Sequence, residues 1–548
     1  MKGLNIIFGL ITALCGSLFA EASLAATPQV RVIPEVKHSV SKPLREMTDT
    51  QRSLAQTHQI APLYKVPLKL NPSYLVQKDE AIQAGRGLDL VTTPGLSFLG
   101  LGVGFPGFTV NVIPPDTNAS VGLTQIVQWV NNSYVVFNKA TGRRILGPLP
   151  GNTLWSGFGG LCETSNRGDP IVKYDRIANR WVLTQFAFNT DNNDQKIPPY
   201  FQCIAVSTTP DATGTYNRYS FNFGTDFNDY GKLGVWPDAY YMSFVVFGTA
   251  PPDFVTAPSQ AAEACAYDRT NMLAGNAATM QCSKPTPPAG IFLPADLDGT
   301  TLPPVGAPNS FVGLFQNANG VTLQDRLAMW KFHVDWKNPY NSRFSGPIAL
   351  MVDPFNPTVC NDPDMNCAVQ PGTNANLDVL SDRPMYRLAY RNFGRIQSMV
   401  VNHTVQTPGQ IPGIRWYEIR MNNQGTAIVY QQGTYTQQDG NARWMGSMAM
   451  DKNGNIALGY SVSGPNLFPS VRYTGREFYD PRNTMRTELT IANGGGSQLA
   501  GNRWGDYSSM AIDPSDDCTF WYTTEYIQSS GNYNWSTVIA AFKFPTCR

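Results

Sequence analysis

One phrase recurs down this chain: an acidic or small polar residue, a short strand of small hydrophobic residues, then a polar hairpin. It reads Gly168-Asp169-Pro170-Ile171-Val172-Lys173-Tyr174-Asp175 and returns as Asn228-Asp229-Tyr230-Gly231-Lys232-Leu233-Gly234-Val235. Ser447-Met448-Ala449-Met450-Asp451 follows, and the fullest form is Gly505-Asp506-Tyr507-Ser508-Ser509-Met510-Ala511-Ile512-Asp513. Imperfect repeats several tens of residues apart cannot each bury a hydrophobic face alone. They must stack or close into a ring of β-units.

The local grammar is strand, polar turn, strand. Tyr174 leads through 175–180 to Trp181-Val182-Leu183, and Met450 leads through 451–455 to Ile456-Ala457-Leu458. Trp129-Val130 and Ser133-Tyr134 are parted by Asn131-Asn132, a hairpin signal. Weaker cognates of the phrase lie at Asn309–Leu314, Gln397–Asn402 and Pro115-Asp116-Thr117. With the four clear copies these suggest seven openings of about 50 to 90 residues each, against roughly 40 to 50 for a four-stranded propeller blade without insertions. The expectation is an all-β chain: a β-propeller over residues 96–548, with seven blades and with six or eight as alternatives. Small residues in the opening strands suit the crowding near a propeller axis, where backbones approach closely. Val538–Phe544 reads as a final strand whose edge the ring must protect.

The first 25 residues have a basic start, a short apolar run from Leu4 to Leu14 and a small-residue exit at Ala20-Glu21-Ala22 or Ser23-Leu24-Ala25. That is the pattern of a secretory signal peptide. Cys15 follows Leu14, where a lipobox wants a small residue, so lipidation is not expected. Residues 26–95, interrupted by Pro43, Pro62, Pro67 and Pro72, read as an extended, partly irregular arm. The alternatives are a pro-segment or a strand laid along the main domain.

Export agrees with the cysteines. Of nine, Cys15 falls in the leader, leaving Cys162, Cys203, Cys265, Cys282, Cys360, Cys367, Cys518 and Cys547. An even count in an exported chain favours disulfides, and nearest-neighbour pairing would clip local loops. A Cys518–Cys547 bridge would pin the C-terminus. No Cys/His spacing suits zinc. With 41 basic and 40 acidic residues, nothing points to nucleic acid. No stretch after the leader is long enough to span a bilayer, and a monomer is expected.

The phrases Pro115-Asp116-Thr117-Asn118, Gly168–Val172, Val235-Trp236-Pro237-Asp238-Ala239-Tyr240-Tyr241 and Arg503-Trp504-Gly505-Asp506-Tyr507 resemble a family of secreted bacterial β-propellers. These are loosely grouped with sialidase-like repeat proteins of the BNR or Asp-box type, and the resemblance covers about residues 95–548. It implies fold and export but no established activity. The Asp-box itself, Ser-x-Asp-x-Gly-x-Thr-Trp, is not matched: Gly454 comes three residues after Asp451, and Asp175 and Asp513 lack the glycine. A sialidase needs an arginine triad, a tyrosine nucleophile with a glutamate partner, and an aspartic acid. Arg391, Arg415, Arg443 and Arg503 could supply the forks, and Tyr507 with Glu525 and Asp506 the catalytic groups.

Asp116, Asp169, Asp229 and Asp506 precede opening strands, and in register they would converge at one channel mouth. Converging carboxylates need neutralising. The expectation is a ligand site of these four with Arg443, Arg503 and Trp504, taking a hydroxylated or cationic ligand, or Ca²⁺ at Asp169, Asp229 and Asp506. The plainer reading is that each aspartate caps its own turn. Trp129, Trp181, Trp236, Trp444, Trp504 and Trp521 could stack sugars, but fit better as filling between blades. Asp296-Leu297-Asp298-Gly299 and Asp191–Asp194 are oxygen-rich without completing a calcium loop. The dispersed His38, His58, His333 and His403 support no triad. Three functions follow: a binding module for glycan or a surface protein, a sialidase-like glycoside hydrolase, and a structural cell-surface protein.

Overall fold

The computed structural model describes residues 30–47, 58–61, 69–74, 78–83, 85, 87–192, 195–247, 261–285, 290–317, 319–360, 362 and 364–548. The leader lies outside them. The strands form antiparallel meanders in which sequence neighbours are sheet neighbours. They run through 118–150, 171–224, 227–283, 292–351, 384–435, 442–492 and 509–543. Among the described residues helices are few and short, the longest being Arg269–Ala274.

The first strand of each meander touches the first strand of the next, and Ser509–Ile512 touches Asn118–Val121, so the series closes on itself. The fold is therefore mostly β and propeller-like. Side chains stitch the ring. The Asn118 Oδ1 accepts from the Val172 N–H at 2.9 Å, and the Ser447 Oγ from the Met510 N–H at 3.0 Å. The Ser509 Oγ donates to the Ala119 carbonyl at 2.9 Å. Small residues are required where first strands press together: a Cβ on Gly234 would sit 2.5 Å from the Ala295 carbonyl oxygen.

Two weaker cognates fall one strand late. Asn309–Gln316 and Gln397–Thr407 are second strands, and the first strands of those meanders are Phe292–Asp298 and Pro384–Asn392. These two pair with each other in parallel, Ala295 opposite Leu388 and Asp298 opposite Arg391. They were hidden because they carry Asp296, Asp298, Arg387 and Arg391 instead of small apolar residues. The charges are consumed at the axis, where the Arg387 Nε donates to Asp296 at 2.6 Å and Nη1 to Asp298 at 2.8 Å.

The last meander is completed from the other end of the chain. Trp535–Lys543 is its third strand, and Thr93–Leu99 adds antiparallel outside it, Val538 opposite Leu99. The edge that an open ring would expose is thus paired. The described parts of the arm lie along outer strands: Arg31–Pro34 on Thr279–Ser283, Lys37–Val40 on Tyr216–Gly224, and Lys69–Leu70 on Val321–His333. The four disulfides join Cys162 to Cys203, Cys265 to Cys282, Cys360 to Cys367 and Cys518 to Cys547, the nearest-neighbour set. Trp129, Trp181, Trp236, Trp444, Trp504 and Trp521 are all buried, so none offers a stacking face.

Candidate functional site

The residue that turns the chain into several first strands has a left-handed backbone although it is not glycine: φ is 50° at Asp116, 49° at Asp169, 53° at Tyr230 and 51° at Asp506. In the 227–283 meander the strained position is thus Tyr230, and Asp229 stands one residue before it. Strain of this kind is kept only where surrounding contacts over-determine it, as at functional sites.

These turns bring Asp116, Asp169, Asp229 and Asp506 within range of one another's charge. Asp116 and Asp506 are buried, while Asp169 and Asp229 are half-buried with Lys196 beside them. Cross-links fix the turns. The Tyr230 N–H donates to Asp169 Oδ2 at 3.0 Å, the Tyr230 hydroxyl to the Asp506 carbonyl at 3.1 Å, and the Tyr507 hydroxyl to the Pro170 carbonyl at 3.0 Å. Asp169 therefore serves a neighbouring turn rather than only its own.

Bases thread through the acids. Arg503 Nη1 donates to Asp378 at 2.8 Å and Nη2 to Asp506 at 2.7 Å. Arg383 pairs with Asp382 at 2.7 Å and lies 4.6 Å over the Tyr230 ring. Fully buried Lys232 sits 3.3 Å from the Tyr230 ring centre and 4.0 Å from that of Tyr507, a cation held by two aromatic faces. One residue before Asp229, the buried Asn228 Nδ2 donates to the Gln202 Oε1 at 2.8 Å.

Burial dominates the titration. It raises the Asp169 carboxyl to about 7, with Asp229 adding to the rise. Asp116 is pushed well above the usual carboxylate range by burial and then by Asp506 and Asp169. Asp229 is raised by burial, against the pull of Lys196. Lys196 and Lys232 are each lowered to about 8 by burial.

Other expected members stand elsewhere. Arg443 is held by Asp439 and Glu488, each at 2.9 Å, away from the aspartates. Trp504 packs against Trp444 and donates to the Ser461 Oγ at 3.0 Å, filling space between sheets. Arg391 pairs with Asp517 at 2.7 Å and Arg415 with Asp79, so the four arginines do not converge. Glu525 accepts from the Gly505 N–H at 3.0 Å, while the Tyr507 hydroxyl is spent on Pro170, so these two do not form a bonded pair. Among the described residues, the group of His, Cys, Asp or Glu ligand atoms within 4.8 Å of one another is Glu263, Cys265 and Cys282, whose sulfurs form a disulfide. Asp169, Asp229 and Asp506 do not form such a group. A cleft of about 280 Å³ lined by Cys360, Cys367, Asn376 and Gln410 lies apart from all of these charges.

Lys196, Lys232, Asp378 and Arg383 were not anticipated. Lys232 was visible: a lysine inside a strand otherwise of small residues, in the phrase itself. Arg383 and Asp378 open a meander whose first strand was misplaced, and nothing local marks them.

No protein-family model matches the chain, and no curated protein matches it. Among solved structures, a Trypanosoma rangeli sialidase matches at 11% identity over 83% of this chain and 60% of that one, with a TM-score of 0.33. The WD40 domain of SCAP from fission yeast matches at 10% identity over 79% and 96%, TM-score 0.31. An endo-arabinase from Bacteroides thetaiotaomicron matches at 12% identity over 57% and 94%, TM-score 0.26. The chain spans 53% and 60% of the length of the two Trypanosoma rangeli sialidase structures it matches. Likeness at this level transfers no residue and no activity, and the fold description rests on strand order.

Proposed function

We propose that this chain is an exported seven-bladed propeller that works as a binding module, taking a hydroxylated ligand such as a glycan at the mouth flanked by Asp169, Asp229 and Lys196. Each meander is read as one blade, and the leader-like N-terminus supports export. The observation that carries the function is the half-buried pair Asp169 and Asp229, with Lys196 beside them and the buried Lys232 and Arg383 within reach of their charge. Carboxylates with a nearby ammonium offer both acceptors and donors, which vicinal hydroxyls require. The hydrolase reading has less support, because its arginines and its Tyr/Glu pair are engaged separately.

The test is a glycan array followed by calorimetry on each hit. Binding without turnover, lost in Asp169→Asn with Asp229→Asn, is the expected result. Release of aryl aglycone that Tyr507→Phe or Glu525→Gln abolishes would replace this reading with the hydrolase. A mouth that binds no array member equally well at any pH between 5 and 8 would leave no support for glycan recognition.

A further inference from the structure

At the start of the first meander the chain from Pro114 to Asp116 lies against Asn131. The Asn131 N–H donates to the Pro115 carbonyl at 2.7 Å, and its Nδ2 to the Pro114 carbonyl at 3.0 Å. The second bond fixes which end of the amide is which. Its Oδ1 therefore points the other way, toward Gly168. A Cβ on Gly168 would sit 2.2 Å from the Asn131 Oδ1 and 3.0 Å from the Asn132 Oδ1. Gly168 has φ +108°, open to glycine and strained for other residues, and the next residue is Asp169.

Asp116, Asn131 and Asn132 are 1, 4 and 9% exposed, and one Oδ1 of each has no hydrogen-bond partner among the described residues. Buried acceptors are nearly always partnered, so three in one neighbourhood call for a positive occupant. The nearby bases are committed elsewhere. Lys232 donates to its neighbour's Gly231 carbonyl at 3.2 Å between two tyrosines, Arg503 serves Asp378 and Asp506, and Arg383 serves Asp382. Carboxylate and amide oxygens without a donor are the ligand set of a hard cation, and calcium accepts such mixed shells with backbone carbonyls completing them.

We propose that Asp116, Asn131, Asn132 and Asp169 form a binding site for a divalent cation of the calcium class around Gly168. It is a different set from Asp169, Asp229 and Asp506, and it stands whether or not the mouth binds a glycan. Fixed there, the ion would lock the turns that open the first two meanders.

The experiment uses the full exported chain after chelation. Ca²⁺ is titrated by calorimetry, and Tb³⁺ by luminescence sensitised through Trp129 and Tyr507. Expected are one saturable ion per chain and a raised melting temperature. Asp116→Asn and Asn131→Ala should weaken binding on the order of tenfold or more, while Asn132→Asp should retain it. Asp191→Asn, in the other oxygen-rich loop, should leave it unchanged. The proposal is overturned if the native chain binds neither ion, or if affinity is lost in Asp191→Asn. Folded Asp116→Asn and Asn131→Ala variants with native affinity would overturn it too. Should those two variants fail to fold, the two native titrations alone decide.

Discussion

Replacing Arg387 by methionine tests whether the charged axis holds the ring together. Arg387 is 1% exposed and spans Asp296 at 2.6 Å and Asp298 at 2.8 Å. Methionine keeps most of the stem and removes the fork. Asp296 would keep Lys173 as a partner. Asp298 would keep the charge of Arg391, itself held by Asp517 at 2.7 Å, and of Lys173, which bonds Asp296 instead. Orphaning one partner of a buried pair costs about 3 to 5 kcal/mol. Since one carboxylate stays paired, the lower end, about 3 kcal/mol, is expected. That is a large share of the roughly 5 to 15 kcal/mol by which folded proteins are stable.

Urea unfolding followed by tryptophan fluorescence measures it, with Asp298→Asn and the double variant completing a cycle. The double variant should recover most of the loss, because it removes the orphaned charge. The pH dependence has a definite sign. Burial already raises the Asp298 carboxyl, and without Arg387 it rises further. Between its unfolded value near 4 and that raised value, the native state binds more protons than the unfolded one, so stability falls as pH rises. The cost should therefore shrink as pH is lowered toward 4. A variant within about 1 kcal/mol of the parent at pH 7, or a cost that grows on acidification, would refute the reasoning.

Asp169, raised to about 7, should make stability decline as pH climbs from about 4 to 7, where only the native state holds the proton. Asp169→Asn should flatten melting temperature against pH in that window, and an unchanged slope counts against the assignment. Gly168→Ala places a Cβ 2.2 Å from the Asn131 Oδ1 at a positive φ, and should destabilise by about 2 kcal/mol or more in urea unfolding. A tolerated alanine would mean the turn is looser than described. Cys518→Ser with Cys547→Ser opens a bridge spanning 29 residues, worth about 3.6 kcal/mol. Hydrogen exchange should then rise first in Trp535–Lys543 and Thr93–Leu99, and unchanged protection there would remove the bridge from any role in closing the ring.

Repetition made the ring legible because a first strand must be small where neighbours crowd it. Ser509–Ile512 obeys that rule throughout, Ile171–Asp175 and Phe227–Val235 each set one lysine among their apolar residues, and the phrase found all three. Phe292–Asp298 and Pro384–Asn392 solve the same crowding with paired charges, so a search for small apolar residues passed to their second strands. The closing strand was not legible at all. Thr93–Leu99 pairs with residues more than four hundred positions away, and its partner is set by the circumference of the ring, not by any local pattern. The aspartates were legible as a set because each precedes its strand. Their bases were legible only in part: Arg503 and Lys232 stand in the phrases, whereas Lys196 comes from the third strand of the 171–224 meander and Arg383 from the turn before Pro384–Asn392.

The axis carries two kinds of polar cluster, and their difference separates structure from function. Further along the first strands, Lys173, Asp296, Arg387 and Asp298 satisfy one another, and such a closed network explains itself by packing. Near the strand starts, one oxygen each of Asp116, Asn131 and Asn132 is buried without a partner among the described residues, Asp116 on a strained turn and the two asparagines in the 131–132 hairpin against Gly168, which leads into the strained Asp169. Burying acceptors unpaired is costly and gains the fold nothing, since apolar residues of similar volume would serve it better. Strain and unpaired acceptors in one place are what a site built for something outside the chain retains. If Asp116→Asn with Asn131→Leu proved more stable than the parent in calcium-free buffer and less stable than it in calcium, the trade would be demonstrated. If the pair were destabilising in both, these groups would be structural after all.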